Sequence, residues 1–167
     1  MGAQAERPGV SAASVRAFLS AHAPDVAIID QGVSTATVAE AAAALGVEPA
    51  RIAKTLSLRV GETVVLACTR GDARINNGKA KAAMGAKPRM LNAEEVEAIT
   101  GHPVGGVCPF GLSSPLPVYC DVSLRDFATV FPAAGSRTAS VELTPDRLAD
   151  LTGAQWIDIC TLPEIAE

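Results

Sequence analysis

Hydrophobic and polar residues alternate with a period of two in two neighbouring runs, residues 55–59 and 63–68, which flank a short turn containing Gly61. A period of two indicates strands that bury one face, and so short a separator predicts a β-hairpin. Similar but shorter runs predict further strands at residues 26–30, 116–122, 129–131, 139–143 and 155–159.

Helices are marked mainly by the residues that start and stop them. Thr37 and Asn92 each stand three residues before a glutamate, which is the spacing of a capping box. A single turn is predicted to start at Pro49, and Asn76 or Asn77 is predicted to begin a further helix. Glycines suited to a left-handed helix end follow four of the predicted helices, at Gly46, Gly85, Gly101 and Gly153.

The first helix is predicted to begin at Ser11, with residues 1–10 frayed, and to bury Val15, Phe18 and Leu19. Strands and helices then alternate along the chain, with hairpins among them, and neither an internal repeat nor a linker interrupts them. This order predicts one α/β domain over residues 1–167, built on a mixed sheet.

The composition fits such a domain. Of the 167 residues, 49% are hydrophobic but only 4% are aromatic, so the core must consist mainly of Ala, Val, Leu and Ile. No apolar run is long enough to cross a membrane, and the first ten residues have neither the basic nor the apolar part of a secretory leader. We therefore expect a cytoplasmic protein without a membrane partner.

The four cysteines, Cys68, Cys108, Cys120 and Cys160, are far apart and include no CxxC pair. That spacing is unlike a zinc site or a secreted disulfide framework, and no metal or other cofactor is predicted. Three of the cysteines lie in apolar strand-like runs, where a thiol behaves as a small hydrophobic group. Cys108 differs, because it lies in a glycine-rich segment.

Charge is unevenly distributed. The net charge of −4 argues against indiscriminate nucleic-acid binding, and we expect no DNA partner. Between residues 70 and 89, however, one acid, Asp72, stands among six basic residues: Arg70, Arg74, Lys79, Lys81, Lys87 and Arg89. A local basic face on an acidic protein favours a specific, docked polyanion, and an ordinary solvated helix face is the alternative.

Residues 101–112, GHPVGGVCPFGL, form a segment that we call the glycine loop. It holds four glycines and two prolines, but no acidic residue, lysine or arginine. Such a run cannot be a regular helix, and its apolar residues make it unlike a solvated linker. We predict a shaped loop partly packed into the core, whose backbone amides form a concavity for an oxyanion or a phosphate. A tight structural connection between helix and strand is the alternative.

Four segments together resemble the YbaK/EbsC family: ARIAKTLSLRV, VVLACTRGDARIN, GHPVGGVCPFGL and FPAAGSRTASVELTP. The members of this family are aminoacyl-tRNA deacylases, and their fold also occurs as the editing insertion of bacterial prolyl-tRNA synthetases. The resemblance runs from about residue 34 to residue 159 and implies a barrel-like, mostly antiparallel mixed sheet surrounded by helices. It further implies metal-free hydrolysis of mischarged aminoacyl-tRNA, chiefly prolyl-tRNA carrying Ala or Cys. Aminoacyl-tRNA is thus the expected partner, and a prolyl-tRNA synthetase is a second candidate.

The resemblance also suggests functional residues. Lys54, in Ile-Ala-Lys-Thr-Leu, matches the family's lysine; the segment from Gly105 to Pro109 matches its GxxxP loop; and Gly135, with Arg137 beside it, matches a later turn. The implied catalytic residues are Lys54, Gly105 and Gly106. We expect Val107, Cys108, Pro109, His102, Thr37, Gly135 and Arg137 to bind substrate, and we expect the basic residues Arg70, Arg74, Lys79 and Lys81 to face tRNA. Cys108 departs from the many members that have Ser or another small residue before the proline.

Two other functions remain open. Cys108 and His102 are close enough in sequence to suggest a thiol nucleophile with its base, although no third group that would orient the histidine is identified. A non-catalytic module could instead bind tRNA or a synthetase with the same fold. Without the resemblance, Lys54 would be taken for a solvated lysine at the end of a strand.

Overall fold

The computed structural model describes residues 7–163, with side chains from Ser11 onward. Within these residues a six-stranded sheet is built around the predicted hairpin of β2 (Ile52–Val60) and β3 (Thr63–Arg70). Beyond β3 lie β6 (Val118–Asp121) and β9 (Gln155–Ile157), each parallel to its neighbour. The outer edge of β2 pairs with two short strands, β5 (Arg89–Met90) and β7 (Phe131–Pro132). Two small antiparallel pairs complete the strands, β1 (Ile29–Asp30) with β8 (Ala139–Ser140) and β4 (Arg74–Ile75) with β10 (Cys160–Thr161).

The helices follow the start and stop residues closely. In the described part of the chain they are α1 (Arg7–His22), α2 (Val38–Leu45), α3 (Asn77–Met84), α4 (Ala93–Thr100) and α5 (Pro145–Thr152), together with 3-10 turns at Pro49–Arg51 and Val122–Asp126. Thr37 and Asn92 form the predicted capping boxes. The glycines after α2, α3, α4 and α5 all adopt the left-handed conformation.

Each face of the sheet has its own core, as strand alternation requires. On one face, Ala53, Leu66 and Cys68 pack with buried residues of α1 and α5; we call this the first core. On the other face, Leu58 and Ala67 pack with residues of α3, of β10 and of the segment that precedes β4; we call this the second core. Cys68, Cys108 and Cys120 lie in the first core and Cys160 in the second, all as free, buried thiols.

The predicted class, a single-domain fold with a mixed sheet and surrounding helices, is confirmed, but three details differ. The sheet is open rather than barrel-like, because its end strands β5 and β9 do not pair with each other in the described residues. Several strands are shorter than predicted, since a strand needs a partner as well as an alternating pattern. The first helix begins at Arg7 and not at Ser11, because a proline at position 8 is tolerated in the first helical turn. Of the predicted frayed end, residues 1–6 lie outside the described residues.

Candidate active site

A cavity opens at the outer edge of β2, between the short pairings of this edge with β7 and β5. β7 pairs with residues 52–53 and β5 with residues 58–59, so residues 54–57 have no strand partner on this side within residues 7–163. The cavity has a volume of about 280 Å³, and α2, the start of α4, the glycine loop and β8 form its other walls. A gap in strand pairing therefore creates the space.

The walls of the cavity are mainly apolar, with Ile52, Ala53 and Phe131 among them. Two serines, Ser57 on β2 and Ser140 on β8, add hydroxyl groups, although these residues are only 5% and 3% exposed. Within the described residues, neither hydroxyl is seen to form a hydrogen bond with another side chain. The sequence reasoning missed both serines. The period of β2 marks Ser57 as inward-facing, whereas no local pattern brings Ser140 to the same cavity.

The glycine loop is anchored in the core at both ends. It leaves α4 at Gly101, which caps the helix with φ of 80°. The His102 ring is fully buried, and its Nε2 donates to the carbonyl oxygen of Phe110 at 2.7 Å. Its Nδ1 must then accept the hydrogen bond from Ser11 Oγ. Phe110 is also fully buried and stacks near Phe18, so the loop is shaped and partly packed into the core, as its composition predicts.

The middle of the loop reaches the cavity. Gly105 and Val107 line it, and among the described residues neither amide donates a hydrogen bond to the protein. The Gly106 amide is already used, because it donates to the Pro103 carbonyl at 2.9 Å. Gly106 instead allows close packing, since a Cβ there would lie 2.8 Å from the Ser136 backbone. Of the predicted residues in this segment, Gly105 and Val107 thus line the cavity, whereas Gly106 is held in the loop's own turn.

Other residues of the predicted substrate-binding set support the cavity from outside. Cys108 and Pro109, which belong to the glycine loop, are buried in the protein and do not line the cavity. Arg137 holds the rim: its Nε donates to the Val104 carbonyl at 2.7 Å, and its own carbonyl accepts hydrogen bonds from Thr35. Gly135 lies against α1 and not at the cavity, because a Cβ there would meet the backbone of Ser11 at 2.9 Å.

Thr37, which belongs to the predicted substrate-binding set, lies at the cavity. It lines the wall at the start of α2, while its hydroxyl accepts from the Glu40 amide at 3.1 Å. Capping occupies this acceptor, so Thr37 shapes the wall through its position at the helix start.

Lys54 lies at the cavity, but its amine points away from the glycine loop. The residue lines the cavity, whereas its Nζ donates to the carbonyl of Ala73 at 2.6 Å, and Ala73 belongs to the second core. Alternation along β2 explains this direction, because Lys54 shares its face with Leu56 and Leu58. Burial lowers the pKa of the half-buried amine. Lys54 therefore borders the same cavity as Gly105 and Val107, but its amine is directed toward the second core, on the other face of the sheet.

The thiol and imidazole of the loop are not arranged as a nucleophile and base. Cys108 Sγ lies 3.7 Å from His102 Nε2, but that nitrogen donates its hydrogen to Phe110 and cannot accept the thiol proton. Burial raises the pKa of Cys108 to about 12, and burial also lowers the pKa of His102. Both side chains are fully buried and away from the cavity walls, which argues against a thiolate mechanism.

The basic residues between positions 70 and 81 lie mostly beyond the second core. Arg70 forms ion pairs with Asp72 and Asp126, both at 2.7 Å, and Lys79 pairs with Asp158 at 3.1 Å. Arg74 and Lys81 are exposed, and neither forms an ion pair within the described residues. Half of the predicted basic set is thus engaged by carboxylates of the protein itself.

Two further observations bear on the class of site. Within residues 7–163, no cluster of three or more His, Cys, Asp or Glu side chains is placed to hold a metal ion. In the same part of the chain, no helix is both long and apolar enough to span a bilayer.

Known proteins resemble this chain over most of its length. Residues 33–151 match the family model described as "Aminoacyl-tRNA editing domain". The Bacillus subtilis protein named "Uncharacterized protein YwhH" is 51% identical over 129 residues, covering 76% of this chain and 82% of that protein. The Enterococcus faecalis protein named "Putative Cys-tRNA(Pro)/Cys-tRNA(Cys) deacylase EbsC" is 34% identical over 132 residues, covering 77% and 78%. A solved structure described as "Crystal structure of a putative trans-editing enzyme for prolyl tRNA synthetase" superposes with a TM-score of 0.83 at 35% identity, covering 90% of this chain and 97% of that one.

Proposed function

This chain belongs to the aminoacyl-tRNA editing domain family, and we propose that it hydrolyses the ester that joins a wrongly attached amino acid to the terminal ribose of tRNA. The observation that carries the proposal is the cavity at the edge of β2. Gly105 and Val107 line this space, which is large enough for a small aminoacyl group, and their amides donate no hydrogen bond within the described residues.

The loop amides supply the electrostatic part of the reaction. An ester of this kind is already activated, so attack by water is limited mainly by the negative charge that develops on the carbonyl oxygen. Two amides directed at that oxygen stabilise the tetrahedral intermediate, and loss of one such donor typically lowers kcat about 100- to 1,000-fold. The attacking water is held by backbone groups and by the neighbouring ribose hydroxyl of the substrate, since the described cavity lining contains no histidine, aspartate or glutamate that could act as a base.

Lys54 is proposed as the catalytic cation. Its amine makes one hydrogen bond, to the Ala73 carbonyl, and sits on a four-carbon stem at the unpaired part of β2. Rotation of this stem would bring the charge toward the ester or the adjacent phosphate, with the substrate anion replacing the carbonyl as its partner. Release from the half-buried position also relieves the burial that lowers the pKa of the amine.

Selection of the amino acid is proposed to depend on size. A cavity of about 280 Å³ with apolar walls admits small side chains, which is the principle of a second sieve. Alanine or cysteine attached to tRNA(Pro) fits this description. Cysteine on tRNA(Pro) is in the name of the Enterococcus faecalis protein, and prolyl-tRNA synthetase is in the description of the solved structure. Cys108 is a fully buried residue of the glycine loop that does not line the cavity, so any influence on selectivity would act through the position of the loop.

The tRNA is proposed to dock through exposed cations. Arg74 and Lys81 are the members of the predicted basic set that are free of carboxylate partners in the described residues, and Arg70 and Lys79 remain weaker candidates because they are ion-paired. Recognition of an RNA end through phosphates and ribose hydroxyls suits such a surface. A prolyl-tRNA synthetase is a candidate partner that would deliver the substrate.

A non-catalytic module that binds tRNA is the competing function. It has no need of unoccupied amides inside a cavity, which is why the hydrolase is favoured. The decisive experiment is a deacylation panel with tRNA(Pro) carrying alanine, cysteine, serine or proline, run with the wild type and with Lys54→Ala. The proposal requires hydrolysis of at least one mischarged substrate, a slower rate for the variant, and survival of prolyl-tRNA. Binding of tRNA without any acceleration of hydrolysis would establish the module instead.

A further inference from the structure

Two arginines face each other at one end of the cavity. Arg59 on β2 and Arg89 on β5 are directly opposite in the antiparallel register of these strands. Side chains at opposite positions have Cβ atoms about 4.5–5.5 Å apart, and like charges there destabilise the pairing. The protein thus places two positive charges together at a point where sheet formation alone would disfavour them.

Both arginines lie on the face of the sheet that borders the cavity. Ser57 and Leu91 line the cavity, and the Leu91 amide donates to the Ser57 carbonyl at 3.2 Å. Arg59 and Arg89 each lie two residues from one of these lining residues, and alternation places positions two apart on the same face. The Cα atoms of the two arginines are therefore about one strand repeat, roughly 7 Å along the strand, from those of the lining residues Ser57 and Leu91.

Only one of the two charges is neutralised by the protein. Arg59 pairs with Glu95 of α4 at 3.0 Å, and both side chains are about two-fifths exposed. Arg89 and the nearby Lys87 are exposed, and in residues 7–163 neither has a carboxylate within ion-pairing distance; the other α4 carboxylates, Glu94 and Glu97, form no ion pair with them. One end of the cavity therefore carries a guanidinium, that of Arg89, which no carboxylate of residues 7–163 neutralises by ion pairing, on a protein whose total charge is −4.

The other cations near the site are directed elsewhere. The Lys54 amine bonds to Ala73 in the second core, and the exposed basic residues of α3 lie on the helix that covers that core. Arg137 is at the rim, but it is bonded to the Val104 carbonyl. Arg89 is thus the cation on the cavity face that is best placed to meet an anion joined to a ligand in the cavity.

We propose that Arg89, supported by Arg59 and Lys87, binds the phosphates next to the terminal ribose of the tRNA, so that the acceptor end crosses β5 as its ester enters the cavity. This inference rests on the proposed function, because it takes the ligand of the cavity to be an aminoacylated ribose. A phosphate attached to that ribose must emerge within a few atoms of the cavity mouth. The free guanidinium of Arg89 matches its charge and its capacity for two hydrogen bonds.

The test compares the affinity of variants for uncharged tRNA(Pro) as a function of salt concentration. Each phosphate contact to a single strand contributes about 0.7 to the slope of log K against log salt. Arg89→Gln should therefore lower the slope by about 0.7 and weaken binding about 4-fold at 0.15 M salt and about 8-fold at 0.05 M salt. Arg16→Gln, at an exposed position of α1 that does not line this cavity, removes the same charge and serves as the control.

A second variant should act in the opposite direction. Glu95→Gln removes the carboxylate that pairs with Arg59 but keeps a side-chain acceptor for the Asn92 amide, so the capping box survives. It should strengthen tRNA binding and steepen the salt dependence. The proposal is overturned if Arg89→Gln behaves like Arg16→Gln, or if Glu95→Gln weakens binding while its melting temperature is unchanged.

The enzymatic readout separates this proposal from the proposed function. With alanyl-tRNA(Pro), Arg89→Gln should lower kcat/KM by the same factor as binding, whereas hydrolysis of 3′-O-alanyl adenosine without a 5′ phosphate should be unaffected. An equal loss on both substrates would contradict the phosphate contact. If the wild type hydrolyses neither substrate, the proposed function fails, while the salt dependence of binding still decides whether Arg89 contacts tRNA.

Discussion

Replacement of Gly105 by alanine should uncouple the activity of this protein from its stability. Gly105 has φ of 93°, and a Cβ built on it would lie 2.8 Å from the Cβ of Ala36. Carbon atoms in contact prefer about 3.5–4.0 Å, so the loop must move by about 1 Å to accept the methyl group. The amides of Gly105 and Val107 would move with it, away from the position where the oxyanion forms.

The size of the effect follows from these distances. A displacement of about 1 Å at a reacting centre can cost about 100-fold in rate, which corresponds to about 2.7 kcal/mol of activation free energy. A left-handed alanine costs about 1–2 kcal/mol of folding stability, offset in part by the lower entropy of the unfolded chain. Gly153→Ala is the matched control, since Gly153 has φ of 66° and open space around it, far along the chain at the end of α5.

Single-turnover deacylation and thermal melting of both variants provide the measurement. Both should lose the stability that a left-handed alanine costs, and Gly105→Ala should lose more because of its contact with Ala36; only Gly105→Ala should lose about 100-fold in rate. Adding Ala36→Gly to Gly105→Ala removes the atom that the new methyl group meets first and should restore part of the rate. The reasoning is refuted if folded Gly105→Ala reacts as fast as Gly153→Ala.

Three further substitutions probe the residues around the cavity. Lys54→Met should slow deacylation and should cost about 1–3 kcal/mol of stability at pH 7, because the carbonyl of buried Ala73 loses its donor. Burial lowers the pKa of the Lys54 amine in the folded protein, so between that pKa and 10.5 the unfolded chain binds more protons than the folded protein. The stability of the wild type relative to the variant should therefore rise with pH across this window, as measured by denaturant unfolding. Cys108→Ala should cost about 1 kcal/mol in stability and leave the rate unchanged, because the thiol is fully buried and its pKa is raised to about 12. Loss of activity in this variant, or inactivation of the folded wild type by a thiol-blocking reagent, would favour a thiol mechanism. His102→Ala removes the hydrogen-bond donor to the Phe110 carbonyl inside the core and should lower the free energy of unfolding, measured in urea, by about 2–4 kcal/mol. A slower rate of deacylation at unchanged stability would instead indicate that His102 contacts the substrate.

The fold could be predicted wherever local chemistry decides it. Capping residues such as Thr37 and Asn92 fix helix starts through hydrogen bonds to residues three positions away, and these assignments are confirmed. The β2–β3 hairpin is confirmed for the same reason. Closure of the sheet is a long-range property. The barrel-like expectation was wrong because it depends on how β5 and β9 are placed, and no local pattern records this.

The candidate site shows the same division. The glycine loop could be located from its composition and Lys54 from the family resemblance, and both border the cavity, as does the predicted capping residue Thr37. The direction of the Lys54 amine and the use of the Gly106 amide within the loop depend on strand alternation combined with tertiary contacts. The sequence identifies Arg89 only as part of a charge cluster, because its position opposite Arg59 depends on the register in which β5 pairs with β2.

The central claim is that the amides of Gly105 and Val107 bind the transition state of ester hydrolysis more tightly than the ground state. It is tested most directly by the affinities of two analogues of 3′-alanyl adenosine, one with a tetrahedral phosphonate and one with a planar amide in place of the ester. Transition-state analogues bind enzymes at least about 100-fold more tightly than substrates do. We predict a ratio of at least this size for the wild type and a ratio near one for Gly105→Ala. Equal affinity of the wild type for the two analogues would contradict the account and identify the cavity as a site of binding alone.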